Sequence, residues 1–284
     1  MLNEDIIDRH YKRLYKFYIG KGLSPENSVF YTKQKISKLL DVHSELSYYG
    51  FLRNLFNSSY RDCVIKDVLD VGCGSGEMVI IGRLLGYNVF GTDIYLEELD
   101  LAKELATDLG LDDKIFFHNL PVERKFDLSV MFSVLEHVPY GELESLIGNC
   151  IRISNFGVFS IHPNRFKFID DHTRLPGLGL FNHRMVKFFF KYLGIEYSLS
   201  ENREWDVYLR SFNELESELS CFDISMLKDD EIYPPLKFVP KLSLRKYSGI
   251  NSVLNNAYFA FVKIFYLRCK EDFYPYHCVK ITLK

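Results

Sequence analysis

The spacing of apolar positions changes near residue 66 and divides the sequence into two regions. Before that point apolar side chains recur every three to four residues, as at Ile36, Leu39 and Leu40, which predicts helices over residues 1–60. After it, short apolar runs alternate with amphipathic segments of helical length. This alternation predicts an α/β fold built on a parallel, doubly wound sheet.

The predicted strands and helices follow one another at regular intervals. Strands are expected at residues 68–71, 88–92, 114–118, 126–132, 156–161 and 195–199. Helices are expected at residues 77–85, 96–109, 141–151 and 185–193. Residues 277–283 alternate like a last strand, which we expect to return to the sheet in the antiparallel direction. The predicted sheet core therefore comprises residues 61–200 and 276–284, and we interpret residues 201–275 as a mostly helical insertion.

Charge is distributed unevenly along a chain whose formal net charge is −3. Residues 233–284 contain nine Lys or Arg against two acidic residues, a local charge of +7, which leaves −10 for residues 1–232. This tail is also rich in Phe, Tyr and Leu. It could be a solvated face of a helical subdomain or a peripheral contact with an anionic membrane. The acidic remainder disfavours a nucleic-acid partner.

Other features of the composition narrow the class of protein further. The sequence has no run of 18 apolar residues and no apolar region near its start, so we expect neither a transmembrane helix nor a signal peptide. The six cysteines include no C-x-x-C pair, which argues against a zinc site and a disulfide framework. We therefore expect a cytoplasmic protein without a bound metal.

A glycine-rich turn follows the first predicted strand. Gly72, Gly74 and Gly76 would let the backbone approach a ligand closely, at the start of a helix that favours negative charge. The third glycine comes one residue early for the dinucleotide pattern, and no Gly-Lys-Ser/Thr follows, which disfavours NAD and excludes a phosphate-binding loop. Asp93 ends the second strand, where its carboxylate could bind both ribose hydroxyls or cap the next helix.

Three segments in this order resemble motifs of class I S-adenosylmethionine-dependent methyltransferases: residues 68–76, residues 91–94 and residues 126–138. The last has the form found in the ubiquinone-biosynthesis-like small-molecule group. The resemblance covers about residues 60–200. It implies a Rossmann-like seven-stranded sheet with an antiparallel last strand, and S-adenosylmethionine over the C-terminal ends of strands one and two.

The resemblance also implies which residues contact the cofactor. The set is Asp70, Gly72, Cys73, Gly74, Gly76, Asp93, Ile94, Asn119, Leu120, Phe132, Ser133 and His137. Ile94 and Leu120 would enclose the adenine ring. Asn119 stands where the family often has an acidic residue for the adenine amino group, so the sequence departs from the pattern there.

Three histidines are candidates for the general base that a hydroxyl acceptor would need. His137 follows the fourth strand and His162 follows the fifth. His172 lies in the next loop beside Asp170 and Asp171, and we rank it first because a nearby carboxylate favours the imidazolium form. The three neighbours Asp170, Asp171 and His172 could instead bind a metal, but their spacing is too compact for a standard site.

The sequence thus predicts a methyltransferase with S-adenosylmethionine as cofactor. The loop around His172 resembles a His-x-x-Leu-Pro loop of methyltransferases in glycan and lipid-precursor biosynthesis, so we expect oxygen of a small molecule, sugar or lipid-linked precursor as acceptor. The alternatives are an NAD-dependent oxidoreductase and a non-catalytic partner subunit that binds S-adenosylmethionine. Residues 1–60 and 201–275 are expected to form a lid on the acceptor site. The oligomeric state stays open.

Overall fold

The fold is seen in a computed structural model that describes residues 3–41, 47–57, 64–167, 170, 177–193, 205–227 and 276–284. The described helices are α1 (Glu4–Gly20), α2 (Pro25–Leu40), α3 (Tyr48–Asn57), α4 (Glu77–Leu84), α5 (Leu96–Asp108), α6 (Leu143–Arg152), α7 (His183–Leu193) and α8 (Phe212–Glu218). The strands are β1 (Asp67–Val71), β2 (Asn88–Asp93), β3 (Phe116–His118), β4 (Leu128–Phe132), β5 (Val158–Pro163), β6 (Phe222–Met226) and β7 (Tyr276–Leu283).

The seven strands form one sheet in the order β3-β2-β1-β4-β5-β7-β6. Strands β1 to β5 are parallel, and β7 runs antiparallel between β5 and β6. This confirms the predicted doubly wound sheet with an antiparallel last strand. The strand order reverses between β1 and β4, and in such sheets ligands bind at the carboxyl ends of the strands beside the reversal.

The sixth strand that the structure describes lies in a region where the sequence pattern predicted none. Residues 195–199 lie outside the described residues, and β6 pairs with β7 instead, with Ile224 opposite Ile281. In β6, half-buried and exposed side chains alternate, which is the period of a strand with one face toward solvent. Residues 222–226 therefore belong to the sheet, and the prediction that they are part of the insertion is wrong. Residues 228–275 lie outside the described part of the chain.

The N-terminal region is helical, as predicted. Asn3 begins α1 by accepting a hydrogen bond from the Ile6 N–H at 2.9 Å, and Ser24 begins α2 by accepting one from the Asn27 N–H at 3.3 Å. Apolar side chains of these helices join the same core as the sheet, and Leu14 is fully buried in it. The N-terminal helices are thus packed onto the sheet domain rather than set apart from it.

The core runs through the central strands. Side chains of β1 and β4 such as Leu69 and Val130 have no solvent exposure, as expected for strands covered on both faces. Among the helices that the structure describes, none is both long and apolar enough to cross a membrane.

Candidate cofactor and active site

The glycine turn between β1 and α4 is held against the end of β2. Gly72, Gly74 and Gly76 have φ values of +76°, +52° and +81°, a region that side chains with a Cβ rarely adopt. The N–H groups of Gly72 and Cys73 both donate to the Thr92 carbonyl, at 2.8 and 3.0 Å. The predicted turn is therefore a fixed loop beside the carboxyl end of β2.

Asp93 connects this loop with the turn that follows β2. Its Oδ2 accepts a hydrogen bond from the Gly74 N–H at 2.8 Å, and its Oδ1 accepts one from the Tyr95 N–H at 2.9 Å. Each carboxylate oxygen can accept more than one hydrogen bond, so these contacts leave capacity for two hydroxyl donors. Asp93 can therefore fix the backbone and also bind a ribose, two roles that the sequence left as alternatives.

Asp70 lies buried beneath the turn, with 4% of its surface exposed. Burial, together with the neighbouring carboxylates of Asp93 and Glu77, raises its pKa to about 8. Burial and the same two carboxylates also raise the pKa of Glu98 on α5. Four carboxylic acids thus share this small region. A positively charged ligand would relieve their repulsion, whereas a pyrophosphate would increase it.

Lys35 of α2 contributes positive charge to this acidic cluster. Its ammonium lies 3.3 Å from Glu77 Oε2, and Glu77 Oε1 accepts a hydrogen bond from the Ser75 hydroxyl at 2.5 Å. Burial alone would raise the pKa of Glu77, but the charges of Lys35 and Lys38 and the hydrogen bond from Ser75 together outweigh burial and lower the pKa. The N-terminal region therefore reaches the glycine turn.

Gly74 has no side chain, and side chains of α2 and α5 approach the glycine turn at this residue. A Cβ on Gly74 would lie 2.7 Å from Glu98 Oε2 and 3.3 Å from the Lys35 ammonium. The polar side-chain ends of Lys35 on α2 and Glu98 on α5 therefore lie at the surface of the glycine turn. A residue larger than glycine at this position would displace them.

The residues proposed for adenine binding surround the carboxyl ends of β2 and β3. Ile94 is 66% exposed, although it is apolar. Asn119 has a left-handed φ of 70°, which Asn tolerates better than most residues, and its carbonyl accepts the Thr92 hydroxyl at 2.5 Å. Leu120, next in the chain, is half-buried. The structure thus brings Asp93, Ile94 and Asn119 together, as the sequence predicted.

The end of β4 forms the other side of the strand-order reversal. The Phe132 ring packs edge-on against Phe51 and Tyr48 of α3, with centroids 4.9 and 5.5 Å away. Ser133 has a left-handed φ of 55°, and its N–H donates to the Ile161 carbonyl at 2.8 Å. Non-glycine residues in this conformation are often found at functional sites. His137 is exposed in a 3₁₀ turn beyond it.

His162 is not exposed at the strand end. Only 1% of its surface is accessible, its Nδ1 lies 3.3 Å from the Ser160 hydroxyl, and its ring meets that of His277 on β7 at 5.4 Å. Burial, followed by the neighbouring His277 and Arg210, lowers its pKa well below the usual range. This environment favours a packing role, so His162 is a weaker candidate base than its place in the sequence indicated.

The other members of the loop after β5 are only partly described. Asp170 is buried, whereas Asp171 and His172 lie outside the described residues. Across the ranges that the structure does describe, no group of three or more His, Cys, Asp or Glu side chains could hold a metal ion.

Sequence reasoning missed Lys35 and Glu98. Glu77 was visible as the residue in place of the dinucleotide glycine, but its pairing with Lys35 joins positions 42 residues apart. Nothing in the pattern of α2 marks Lys35 among its other lysines. Glu98 resembled an ordinary acidic residue in the first turn of a helix.

The similarity of this chain to known proteins is found in this same region. Residues 68–157 match the family model of a methyltransferase domain. Ubiquinone biosynthesis O-methyltransferase of Actinobacillus pleuropneumoniae is 35% identical over 96 residues, covering 30% of this chain and 39% of that protein. The enzyme of the same name from Psychrobacter arcticus is 32% identical over 95 residues, covering 31% and 36%.

The chain therefore spans little more than a third of the length of these curated relatives. Among solved structures, the plantazolicin methyltransferase BpumL in complex with S-adenosylhomocysteine aligns over 99% of this chain and 98% of its own, with 16% identity and a TM-score of 0.43. Residues 68–157, which include the glycine turn, are therefore similar to a methyltransferase domain.

Proposed function

We propose that this protein transfers the methyl group of S-adenosylmethionine to an oxygen atom of a small-molecule, sugar or lipid-linked acceptor. The observation that carries the proposal is the charge around the glycine turn, where Asp70, Glu77, Asp93 and Glu98 gather about Lys35. S-adenosylmethionine brings a sulfonium and an ammonium group, which this field favours. The pyrophosphate of NAD would be repelled by the same carboxylates.

In this proposal each residue of the turn has a distinct task. Asp93 accepts hydrogen bonds from the ribose hydroxyls while the Gly74 and Tyr95 N–H groups hold it still. Ile94 and Leu120 enclose the adenine ring, and the exposure of Ile94 accords with a surface that a ligand covers. Asp70 faces the amino-acid end of the cofactor, whose positive charge would favour the ionised form of the Asp70 carboxyl group.

On the cofactor side, the displacement requires no acid–base chemistry from the protein. The cofactor supplies a methyl group on a positively charged sulfur that leaves as a neutral thioether. The protein must align the acceptor with that methyl group, and such alignment is worth an effective molarity of roughly 10⁵–10⁸ M. The N-terminal helices would form part of the lid that keeps water out, and the contact of Lys35 with Glu77 supports this for α2.

A hydroxyl acceptor would also need a base, and we propose His172 for that role. The names of the ubiquinone-biosynthesis relatives support oxygen as the methylated atom. Replacing His172 with Ala should lower turnover by roughly 10²–10⁴-fold while leaving cofactor affinity nearly unchanged. The lower limb of the pH–rate profile should disappear in the variant. If that limb persists, His172 has a structural role instead.

Calorimetry with S-adenosylhomocysteine and NAD tests the cofactor proposal. The wild-type protein should bind S-adenosylhomocysteine and give no heat with NAD. Asp93→Ala should weaken binding by about 1.5–3 kcal/mol, because a charged acceptor is lost. Asp100→Ala, which removes an exposed carboxylate from α5, is the matched control and should bind like wild type. NAD binding without a response to S-adenosylhomocysteine would refute the proposal.

Turnover distinguishes an enzyme from a non-catalytic subunit that only binds S-adenosylmethionine. Extracts of small metabolites, sugars and lipids are incubated with the protein and with cofactor labelled in its methyl group. We expect label in one acceptor class and none with Asp93→Ala at low cofactor concentration. Tight cofactor binding with no labelled product from any extract would favour the subunit role.

A further inference from the structure

Helix α7 is fixed to the protein along one face. Val186 and Phe190 are buried in a small cluster with Trp205 and Val207, and the rings of Phe190 and Trp205 meet at 5.2 Å. His183, the first residue of the helix, has its Nδ1 3.1 Å from the Val207 carbonyl. These contacts fix which side of α7 turns outward.

The outward side of α7 is apolar. Met185, Phe188, Phe189 and Tyr192 are all exposed, Phe188 by 63% and Tyr192 by 78%. Their spacing of three, four and seven residues places them in one stripe along the helix. The stripe continues into the preceding turn, where the exposed Phe181 ring lies 6.1 Å from that of Phe189. Single exposed apolar residues are ordinary, whereas a continuous patch indicates a binding surface.

A second stripe of α7 is positively charged. Arg184, Lys187 and Lys191 are exposed and spaced by three and four residues, so they form a row beside the aromatic one. The helix contains no acidic residue. Because the buried face is turned to the protein, both stripes are available together on the outer side.

We propose that this surface of α7 binds an anionic phospholipid bilayer. Exposed aromatic side chains enter the headgroup region of a membrane, and Lys and Arg beside them reach the lipid phosphates. The charge argues against a second copy of the chain as occupant, since two copies of this face would bring six cations together. This inference rests on α7 and does not depend on the proposed methyl transfer.

Cosedimentation of the full chain with vesicles tests the proposal. Vesicles of phosphatidylcholine with about 30 mol% phosphatidylglycerol, which have a negative surface potential, are compared with vesicles of phosphatidylcholine alone. We expect binding to the anionic vesicles, weaker binding to the neutral ones, and release as salt concentration rises. The double variant Arg184→Gln/Lys191→Gln should bind on the order of 25-fold more weakly, about fivefold for each cation removed.

Three further double variants separate the effect of the stripes from general surface effects. Phe188→Ser/Tyr192→Ser should weaken binding about tenfold or more, because two side chains no longer enter the membrane. Phe30→Ser/Leu40→Ser removes exposed apolar residues from α2, and Lys16→Gln/Lys33→Gln removes exposed cations from α1 and α2. Both control pairs should bind like wild type. Circular dichroism should give the same melting temperature for the α7 variants as for wild type, since the residues are exposed.

Three results would overturn the proposal. Wild-type protein could fail to bind anionic vesicles, or the α7 variants could bind them as well as wild type does. Alternatively, sedimentation velocity could show a wild-type dimer that Phe188→Ser/Tyr192→Ser converts to monomers without vesicle binding. That last result would assign the surface to a second copy of the chain.

Discussion

Replacing Asp70 with Asn should stabilise the protein and weaken cofactor binding at the same time. Asp70 is buried, and its pKa in the folded protein is about 8 against an ordinary value of 3.8. Between these two values the folded state holds a proton that the unfolded state has released. Stability therefore falls as pH rises through this range. Asn resembles the neutral carboxyl group and has no proton to lose.

The size of the effect follows from the width of that range. Each pH unit between the two pKa values corresponds to about 1.4 kcal/mol. From pH 5 to pH 8 the wild-type protein should therefore lose up to about 4 kcal/mol relative to Asp70→Asn, measured without cofactor. In the same variant the affinity for S-adenosylhomocysteine should fall about tenfold or more, because the ammonium group of the bound ligand favours an ionised carboxylate, which Asn cannot provide.

Urea unfolding at pH 5, 6, 7 and 8 measures the difference between the two proteins. Asp100→Asn, at an exposed position of α5, is the control and should follow wild type at every pH. A constant difference between wild type and Asp70→Asn across this range would show that Asp70 does not titrate there. Unchanged cofactor affinity in the variant would remove Asp70 from the binding site.

Three further changes test other parts of the structure. Gly74→Ala should weaken S-adenosylhomocysteine binding at least tenfold in calorimetry, because its φ is +52° and its Cβ would meet a carboxylate oxygen of α5 at 2.7 Å; wild-type affinity would contradict this. Arg210→Ala should lower the free energy of unfolding by about 3–5 kcal/mol, because the buried guanidinium pairs with Glu218 at 2.7 Å and donates to three carbonyls; a loss under 1 kcal/mol would refute its structural role. Burial lowers the pKa of His10 from 6.5 to about 4, so between these pH values the unfolded state binds a proton that the folded state does not. The free energy of unfolding should therefore fall as pH falls from 6.5 toward 4, and it should fall less steeply in His10→Gln. The same slope in both proteins would contradict this.

The sequence was sufficient where a feature is local and repeated. The strands and helices from β1 to α6 were predictable because apolar residues recur in them at the strand or helix period, and glycine or polar residues lie in the turns between them. Asp93 was predictable because it lies at a strand end opposite a glycine turn. Both arguments require only neighbouring residues and the geometry of a parallel sheet.

Features that depend on distant contacts could not be predicted in this way. Strand β6 is five residues long and gave a weak signal beside the pattern at 195–199. His162 was placed at a strand end correctly, but its burial depends on His277, which pairs with it across the sheet. Lys35 likewise approaches the glycine turn only because α2 packs against α4. Such contacts depend on packing between segments that are distant in the sequence, and a local sequence pattern does not predict them.

A crystal structure of the protein with S-adenosylhomocysteine tests most directly where the cofactor binds. We expect both ribose hydroxyls within about 2.5–3.0 Å of the Asp93 carboxylate, with the adenine ring against Ile94. The amino-acid end should lie over the glycine turn near Asp70. S-adenosylhomocysteine bound away from the carboxyl ends of β1 and β2, or a turn that accepts only NAD, would contradict the central claim.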